Sequence, residues 1–214
     1  MRYLIVCGGK IDKEFGLNEI KTDGIDVIIA ADSGMDFLYE NGVTPDIIVG
    51  DFDSTTTNAL EYFERKGQTE IRKLNPIKDD TDTEYAIRLA ISEGARSIVV
   101  LGATGSRIDH VLGNISLLGI GLESKADISI IDTNNRIRMA DKPVTIEKSA
   151  QYGRFVSLIA LTDDNEVSLK GFKYPVTDYS FDRFTSLGIS NEIVDDHALI
   201  DIHRGKFIII ESKD

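Results

Sequence analysis

The sequence is poor in several residue types, and each scarcity excludes a class of protein. Its 214 residues include a single cysteine and no tryptophan. One cysteine cannot form an internal disulfide, which excludes a disulfide-stapled fold and fits a reducing compartment. No apolar run approaches the roughly 20 residues that span a bilayer, and the amino end lacks the features of a signal peptide. We therefore expect a cytoplasmic protein, with Cys7 packed in its core rather than acting as a nucleophile.

Basic residues are also scarce. The chain has 24 Lys and Arg against 36 Asp and Glu, a net charge of −12. Affinity for a nucleic-acid backbone comes largely from basic side chains, so a nucleic-acid partner is not expected. A divalent cation suits this charge better. A nucleotide would need its phosphates screened by that metal and by local cations, for which Lys78 and Arg107 are well placed.

The first half of the chain alternates between strand-like and helical patterns, which predicts a doubly wound, mostly parallel α/β sheet. The clearest helix begins at Thr81, where Thr81 to Glu84 has the form of a capping box and Gly94 supplies a stop. A second helix is expected over Asp109–Leu122. The predicted strands lie near residues 3–7, 26–31, 46–50, 70–74, 97–101 and 126–132.

After residue 135 the pattern changes to short strands at close spacing, which favours an antiparallel β-sandwich. The sequence therefore predicts an α/β domain over residues 1–135 and a β-sandwich domain over residues 136–214. Strands are expected near residues 136–139, 144–147, 154–161, 166–169, 189–194, 198–202 and 206–211.

Acidic residues follow several of the predicted strands of the first domain. Asp51 and Asp53 follow the third strand, and Asp32 follows the second. Asp79 precedes the helix that begins at Thr81, and Asp82 lies in the first turn of that helix. Ligands of open α/β sheets bind beyond the carboxyl ends of the strands, so these carboxylates can converge there. Their oxygens suit Mg²⁺. Asp32 could instead cap the helix that follows it.

A glycine-containing turn, Gly102 to Arg107, joins the fifth strand to a helix. Backbone N–H groups at such a turn favour phosphate. Arg107 strengthens this interpretation because a guanidinium grips phosphate oxygens through two hydrogen bonds. His110 could act as a general base, although a structural role is favoured at a helix start.

Taken in order, these motifs resemble the thiamine pyrophosphokinase family. The resemblance spans nearly the whole chain, and its ordered set is more specific than any single motif. It rests on Ala-Asp32-x-Gly, Gly-Asp51-Phe-Asp53-Ser54, Asp79-x-Thr81-Asp82, Gly102-x-x-Gly105-x-Arg107-x-Asp109-His110-x-x-x-Asn114, Gly171-Phe-Lys-Tyr174-Pro and Ser186-Leu-Gly188-Ile-Ser190-Asn191-Glu192.

The resemblance implies an enzyme that transfers pyrophosphate from ATP to the hydroxyethyl group of thiamine with Mg²⁺, releasing AMP. It also implies a homodimer with active sites between subunits. Catalytic roles fall to Asp51, Asp53, Asp82 and Arg107, and metal ligation to Asp32, Asp51, Asp53 and Asp82. ATP contacts are implied for Lys78, Thr81, Arg107 and Asp109, and thiamine contacts for Asp79, Tyr174, Ser190 and Asn191.

Two features depart from the family pattern, and two other classes stay open. Ser33 and Ser106 stand where many members have glycine, and Tyr174 would replace the tryptophan that some relatives place against thiamine. Asp51-Phe-Asp53-Ser-Thr55 also matches the signature of haloacid-dehalogenase-type phosphatases, although those place it on the first strand. A nucleotide- or thiamine-binding module without turnover is the non-enzymatic alternative.

Overall fold

The computed structural model describes residues 1–52, 58–75 and 80–214. The chain divides into two compact units, Met1–Thr133 and Asn134–Asp214, whereas the sequence placed the boundary after residue 135. The predictions for Asp53, Lys78 and Asp79 lie outside the described residues. Within the described ranges, no helix has the length and apolar character needed to cross a bilayer.

In the first unit, strands and helices alternate along the chain. The helices are α1 (Lys13–Ile20), α2 (Gly34–Glu40), α3 (Ala59–Lys66), α4 (Asp82–Ser92), α5 (Ile108–Leu117) and α6 (Gly119–Ser124). The strands are β1 (Arg2–Val6), β2 (Val27–Ala31), β3 (Ile47–Gly50), β4 (Glu70–Lys73), β5 (Ser97–Leu101) and β6 (Asp127–Ile131).

These strands pair in parallel in the order β6-β5-β1-β2-β3-β4, which confirms the predicted doubly wound sheet. The chain builds outward from β1 through β4 and then returns to the other side of β1 with β5. The strand order therefore reverses between β1 and β5. In open α/β sheets, the crevice beyond such a reversal is where ligands bind.

The N-cap predicted for α4 at Thr81 is present. The backbone N–H of Glu84 donates to Thr81 Oγ1 at 3.2 Å, and the Glu84 carboxylate accepts hydrogen bonds from Arg88. Gly94 adopts a left-handed φ of 91° after the helix. Ala86, Ile87, Leu89 and Ala90 give the helix its buried face. Asp82 thus sits in the first turn, where the partial positive charge of the helix favours a carboxylate.

The single helix predicted over Asp109–Leu122 is wrong, because the structure breaks it at Leu118 into α5 and α6. The N–H of Leu118 donates three residues back to Ile115, and Leu118 has a φ of −58° and a ψ of −24°, values typical of a 3₁₀ turn. Gly119 and Gly121 weaken the continuation, since each glycine in a helix costs about 1 kcal/mol relative to alanine.

The second unit is a two-sheet antiparallel structure, as predicted. Strands pair in the orders β12-β9-β14-β7 and β11-β10-β13-β8, and both sheets contribute to one apolar core around Val156, Val167 and Phe207. Their bounds are β7 (Asn135–Ala140), β8 (Val144–Glu147), β9 (Phe155–Ala160), β10 (Glu166–Lys170), β11 (Val176–Tyr179), β12 (Asn191–Glu192), β13 (His197–Arg204) and β14 (Phe207–Ser212).

Two details of this unit differ from the prediction. The strand expected over residues 189–194 is reduced to the short β12, because Ser190 has a left-handed φ of 59° that extended backbone does not allow. Strand β11 was not predicted, since its exposed Thr177, Asp178 and Tyr179 show no apolar alternation.

Candidate active site

The loops that follow β1 and β5 cross in close contact at the point where the strand order reverses. The N–H of Gly9 donates to the carbonyl oxygen of Gly102 at 2.9 Å. A Cβ atom at Gly9 would lie 2.2 Å from that oxygen, and Gly102 has a left-handed φ of 68°. Glycine is therefore required on both sides of the crossing.

A cavity of about 580 Å³ opens beside this crossing. Its walls come from the loops after β1, β2 and β5 and from the first turns of α4 and α5. The predicted residues among its lining are Asp32, Thr81, Asp82, Arg107 and Asp109. A volume of this size, at a strand-order reversal, suits a small-molecule ligand.

Three of the predicted metal ligands meet in one cluster. Asp32, Asp51 and Asp82 each place a carboxylate oxygen within 4.8 Å of the others. They come from three separate loops, after β2, after β3 and at the start of α4, so the fold alone brings them together. The backbone is strained here, since Asp32 has a φ of 48° and Phe52 a φ of 66°. Such strain is concentrated at functional sites.

The chemistry of this cluster fits a hard divalent cation. Magnesium binds oxygen ligands at about 2.1 Å in an octahedron, which places neighbouring ligand oxygens about 3.0 Å apart and opposite ones about 4.2 Å apart. The three carboxylate oxygens all lie within 4.8 Å of one another, which is close to the separation of opposite ligands in such an octahedron. Burial raises the pKa of the nearby Cys7 thiol to about 11, so this thiol is protonated at neutral pH.

Arg107 and Asp109 form an exposed ion pair on the cavity wall at the start of α5. Arg107 Nη2 lies 2.6 Å from Asp109 Oδ2. The hydrogen bond from Arg107, together with one from the backbone N–H of His110, lowers the pKa of Asp109 to about 2. The carboxylate therefore stays ionised at any physiological pH, and it neutralises part of the charge that Arg107 presents to the cavity.

Thr81, His110 and Asp32 also line the cavity. The Thr81 hydroxyl oxygen accepts the predicted capping hydrogen bond from the backbone N–H of Glu84. His110 is exposed at the start of α5. Asp32 does not cap α2, whose N-cap residue is Ser33.

Several cavity residues were missed by the sequence analysis. Gly8 and Gly9 follow β1 directly, and Thr83 faces the cavity beside Cys7, with 3.4 Å between the hydroxyl and the sulfur. Asn114, which the family motif contains without an assigned role, also lines the cavity. The glycine pair carried a usable signal, because it stands at the end of a predicted strand as the acidic clusters do.

In the second unit, the three predicted thiamine-contact residues lie close together. The buried Asn191 amide accepts hydrogen bonds from the N–H groups of Tyr174 at 3.1 Å and Glu192 at 2.9 Å, and donates to the Tyr174 carbonyl at 2.9 Å. Most of its hydrogen-bonding capacity is thus used within the chain. Its neighbour Ser190 donates its strained backbone N–H to Ser157 Oγ at 2.9 Å.

Tyr174 itself is 62% exposed. The Lys173 ammonium lies 5.6 Å from the centre of its ring and is paired with Glu192 at 2.9 Å. The ring is therefore available to stack against a ligand, and Asn191 fixes the backbone that carries it.

The geometry of the first unit is typical of α/β enzymes that bind a phosphorylated ligand with a hard cation. Comparison with known proteins gives the family. Residues 21–130 match the family model "Thiamin pyrophosphokinase, catalytic domain", and residues 143–207 match "Thiamin pyrophosphokinase, vitamin B1 binding domain". The chain is 34% identical over 195 residues to the thiamine pyrophosphokinase of Bacillus subtilis (strain 168), covering 90% of each.

Solved structures agree with these matches. The crystal structure of the Bacillus subtilis thiamine pyrophosphokinase superposes with a TM-score of 0.89 at 32% identity, over 100% of both chains. That of the Geobacillus thermodenitrificans thiamin pyrophosphokinase gives 0.87 at 29% identity, over 100% of this chain and 98% of the other. The chain therefore belongs to the thiamine pyrophosphokinase family, which is a family of enzymes. No finding supports the phosphatase interpretation.

Proposed function

We propose that this chain is a thiamine pyrophosphokinase that uses Mg²⁺ to transfer pyrophosphate from ATP to thiamine, forming thiamine diphosphate and AMP. The observation that carries the proposal is the meeting of Asp32, Asp51 and Asp82 within 4.8 Å beside a cavity walled by a glycine turn and Arg107. The same family match includes a model named for vitamin B1 binding.

Asp32, Asp51 and Asp82 would hold the Mg²⁺, with Asp53 added on the basis of the sequence. When bound, the ion would neutralise phosphate oxygens and fix their orientation. Carboxylates and phosphate oxygens carry the same charge, so this cluster would repel a triphosphate unless a cation lay between them. The charge of the cluster therefore supports the proposed need for a cation.

Arg107 would spread the negative charge that moves during transfer. The thiamine hydroxyl oxygen forms a bond to the β-phosphorus and releases its proton to water. The bond from that phosphorus to the α,β-bridging oxygen breaks, and AMP leaves with the electron pair. Such a reaction depends on positioning and charge stabilisation more than on covalent catalysis. The contacts with Asp109, at 2.6 Å and 3.3 Å, use two of the five N–H groups of the Arg107 guanidinium, so phosphate can bind to the others. Thr81, Lys78 and Asp109 are proposed ATP contacts.

On the thiamine side, we assign contact to the exposed ring of Tyr174 and to Ser190. Asn191 would act through the Tyr174 backbone, given the hydrogen bonds that it already makes. Asp79 is proposed as a further thiamine contact on the resemblance alone. A homodimer in the cytoplasm, with active sites between subunits, completes the proposal.

One assay tests this function against its rivals. The purified chain is incubated with ATP, Mg²⁺ and thiamine, and both AMP and thiamine diphosphate are quantified. We expect equal amounts of the two products, and none when thiamine or Mg²⁺ is withheld. Release of inorganic phosphate from a monoester without thiamine would indicate a phosphatase instead. Thiamine binding without AMP formation would indicate a binding module.

A further inference from the structure

The turn that carries Arg107 into the cavity has little packing to hold it. None of the residues of α5, which follows the turn, is buried. Ile108 is 68% exposed and Leu112 is 60% exposed. A helix normally fixes its first residues by burying an apolar face against the sheet. Here that source of rigidity is weak, so Arg107 must be positioned in another way.

Side-chain hydrogen bonds hold the turn from two directions. On the β6 side, the Thr104 hydroxyl donates to Asp132 Oδ2 at 2.7 Å. On the α5 side, the Asn114 amide donates to the carbonyl oxygen of Ala103 at 2.9 Å. The two contacts attach consecutive residues of the turn to two different elements. We call Thr104, Asp132 and Asn114 the clamp.

We propose that the clamp positions Arg107 for phosphoryl transfer, and that Thr104 and Asp132 are positioning residues for the reaction. The inference rests on the proposed function. Thr104 lies three residues before Arg107, and the crossing with Gly9 fixes Gly102 just before it. Hydrogen bonds therefore hold the backbone or side chain of Gly102, Ala103 and Thr104. Only Gly105 and Ser106 separate these residues from Arg107.

The physical reason for such a clamp is the sensitivity of catalysis to small displacements. A shift of about 1 Å in a group that stabilises charge can lower a rate by about a hundredfold. A hydroxyl-to-carboxylate hydrogen bond is directional and short, so it fixes Thr104 more closely than apolar contact does. Asp132 is also half-buried at the end of β6, which gives the clamp a rigid attachment.

The first variant is Thr104→Val, which keeps the shape of the side chain and removes the hydroxyl. We expect its kcat to fall by about ten- to a hundredfold, with a smaller change in KM for ATP. Thr104→Ser restores the hydroxyl and should recover most of the loss. Thr22→Val is the matched control, because the Thr22 hydroxyl donates a hydrogen bond to the Asn18 carbonyl at 3.1 Å in the turn after α1, outside the cavity lining.

A double-mutant cycle with Arg107→Ala separates positioning from general stability. If the clamp acts through Arg107, Thr104→Val should have almost no effect on kcat once Arg107 is gone. If Thr104 only stabilises the fold, its effect on kcat should be the same in both backgrounds. The second result would overturn the proposal.

Hydrogen exchange of the backbone amides at residues 103–107 supplies a readout that does not depend on activity. In Thr104→Val, exchange should accelerate in this turn while the strands keep their protection. Unchanged exchange would overturn the clamp even in an active enzyme. A wild-type chain that forms no AMP would refute the proposed function, whereas an active wild type with an unaffected Thr104→Val variant would refute only the clamp.

Discussion

The carboxylate cluster should make the thermal stability of the protein depend on divalent cations, and a substitution at Asp51 should weaken that dependence. Asp51→Asn keeps the shape of the side chain and removes one negative charge. At the 4.8 Å limit between oxygens, each pair of charges repels by about 0.9 kcal/mol at the dielectric constant of water and by about 3.5 kcal/mol at a dielectric constant of 20. The three side chains are half-buried, and solvent screens them, so the lower value applies.

Asp51 takes part in two of these pairs, so its neutralisation should relieve about 2 kcal/mol of repulsion when no cation is present. For a chain of this size, each kcal/mol shifts the Tm by about 2–4 °C, which predicts a rise of about 4–8 °C. Calorimetry in the presence of a chelator measures it. Asp23→Asn, which neutralises an exposed carboxylate outside the cluster, is the control and should leave the Tm nearly unchanged.

Adding Mg²⁺ should invert the order. Binding to the folded state alone stabilises a protein by mass action, and the wild type has the full ligand set. The wild type should therefore gain more in Tm than Asp51→Asn as Mg²⁺ is raised. Equal gains in the two proteins would show that the cluster does not bind the ion as argued. A lower Tm for Asp51→Asn than for the wild type in chelator would contradict the repulsion between the carboxylates.

Three further outcomes follow from particular contacts. Asn191→Ala should lower the free energy of unfolding by about 2–4 kcal/mol, since it removes three hydrogen bonds to part-buried backbone groups. Urea denaturation measures this beside the exposed control Asn18→Ala, and equal losses in the two variants would contradict it. Gly9→Ala should lower the free energy of unfolding by about 2 kcal/mol or more, because its Cβ would lie 2.2 Å from a carbonyl oxygen. Gly105→Ala is the control and should leave the free energy of unfolding nearly unchanged, because its Cβ would lie 3.9 Å from the nearest atom. Burial raises the Cys7 pKa to about 11. The stability that the protonated thiol contributes should therefore be complete below about pH 8.5, the pKa of an unfolded cysteine, and should be lost as the pH rises towards 11. Cys7→Ala should remove that part of the pH dependence, and identical slopes of the free energy of unfolding against pH in the two proteins would refute it.

The first unit was predictable because its apolar strands and the carboxylates that follow them are both visible in the sequence. Strands buried on both faces read as continuous apolar runs, and their carboxyl ends meet at one edge of the sheet. The convergence of Asp32, Asp51 and Asp82 therefore followed from position alone, without any knowledge of side-chain geometry. The N-cap at Thr81 was equally local, since it needs only residues within one turn.

Features that depend on distant contacts were not predictable in this way. The apolar spacing of Leu112, Ile115 and Leu118 suggested one continuous helix. In the structure, Gly121 packs closely against the carbonyl of Ala126, and a Cβ on Gly121 would lie 2.6 Å from that oxygen. That contact belongs to the following turn and strand, and it favours a separate short helix. Periodicity reports which residues are apolar, whereas the place where a helix ends depends on what lies against it.

Asn191 shows the same limit for function. The sequence assigned its amide to thiamine because a family motif contains it, yet the structure uses that amide to fix the backbone of Tyr174 and Glu192. A motif records that a residue type is needed at a position, and a positioning role satisfies that need as well as direct contact does. The clamp around Arg107 follows the same principle in the first unit, where Thr104 and Asp132 are separated by 28 residues and no local pattern connects them. Residues that orient a site are thus harder to find from sequence than residues that touch the ligand, because their partners are set by the fold rather than by the motif.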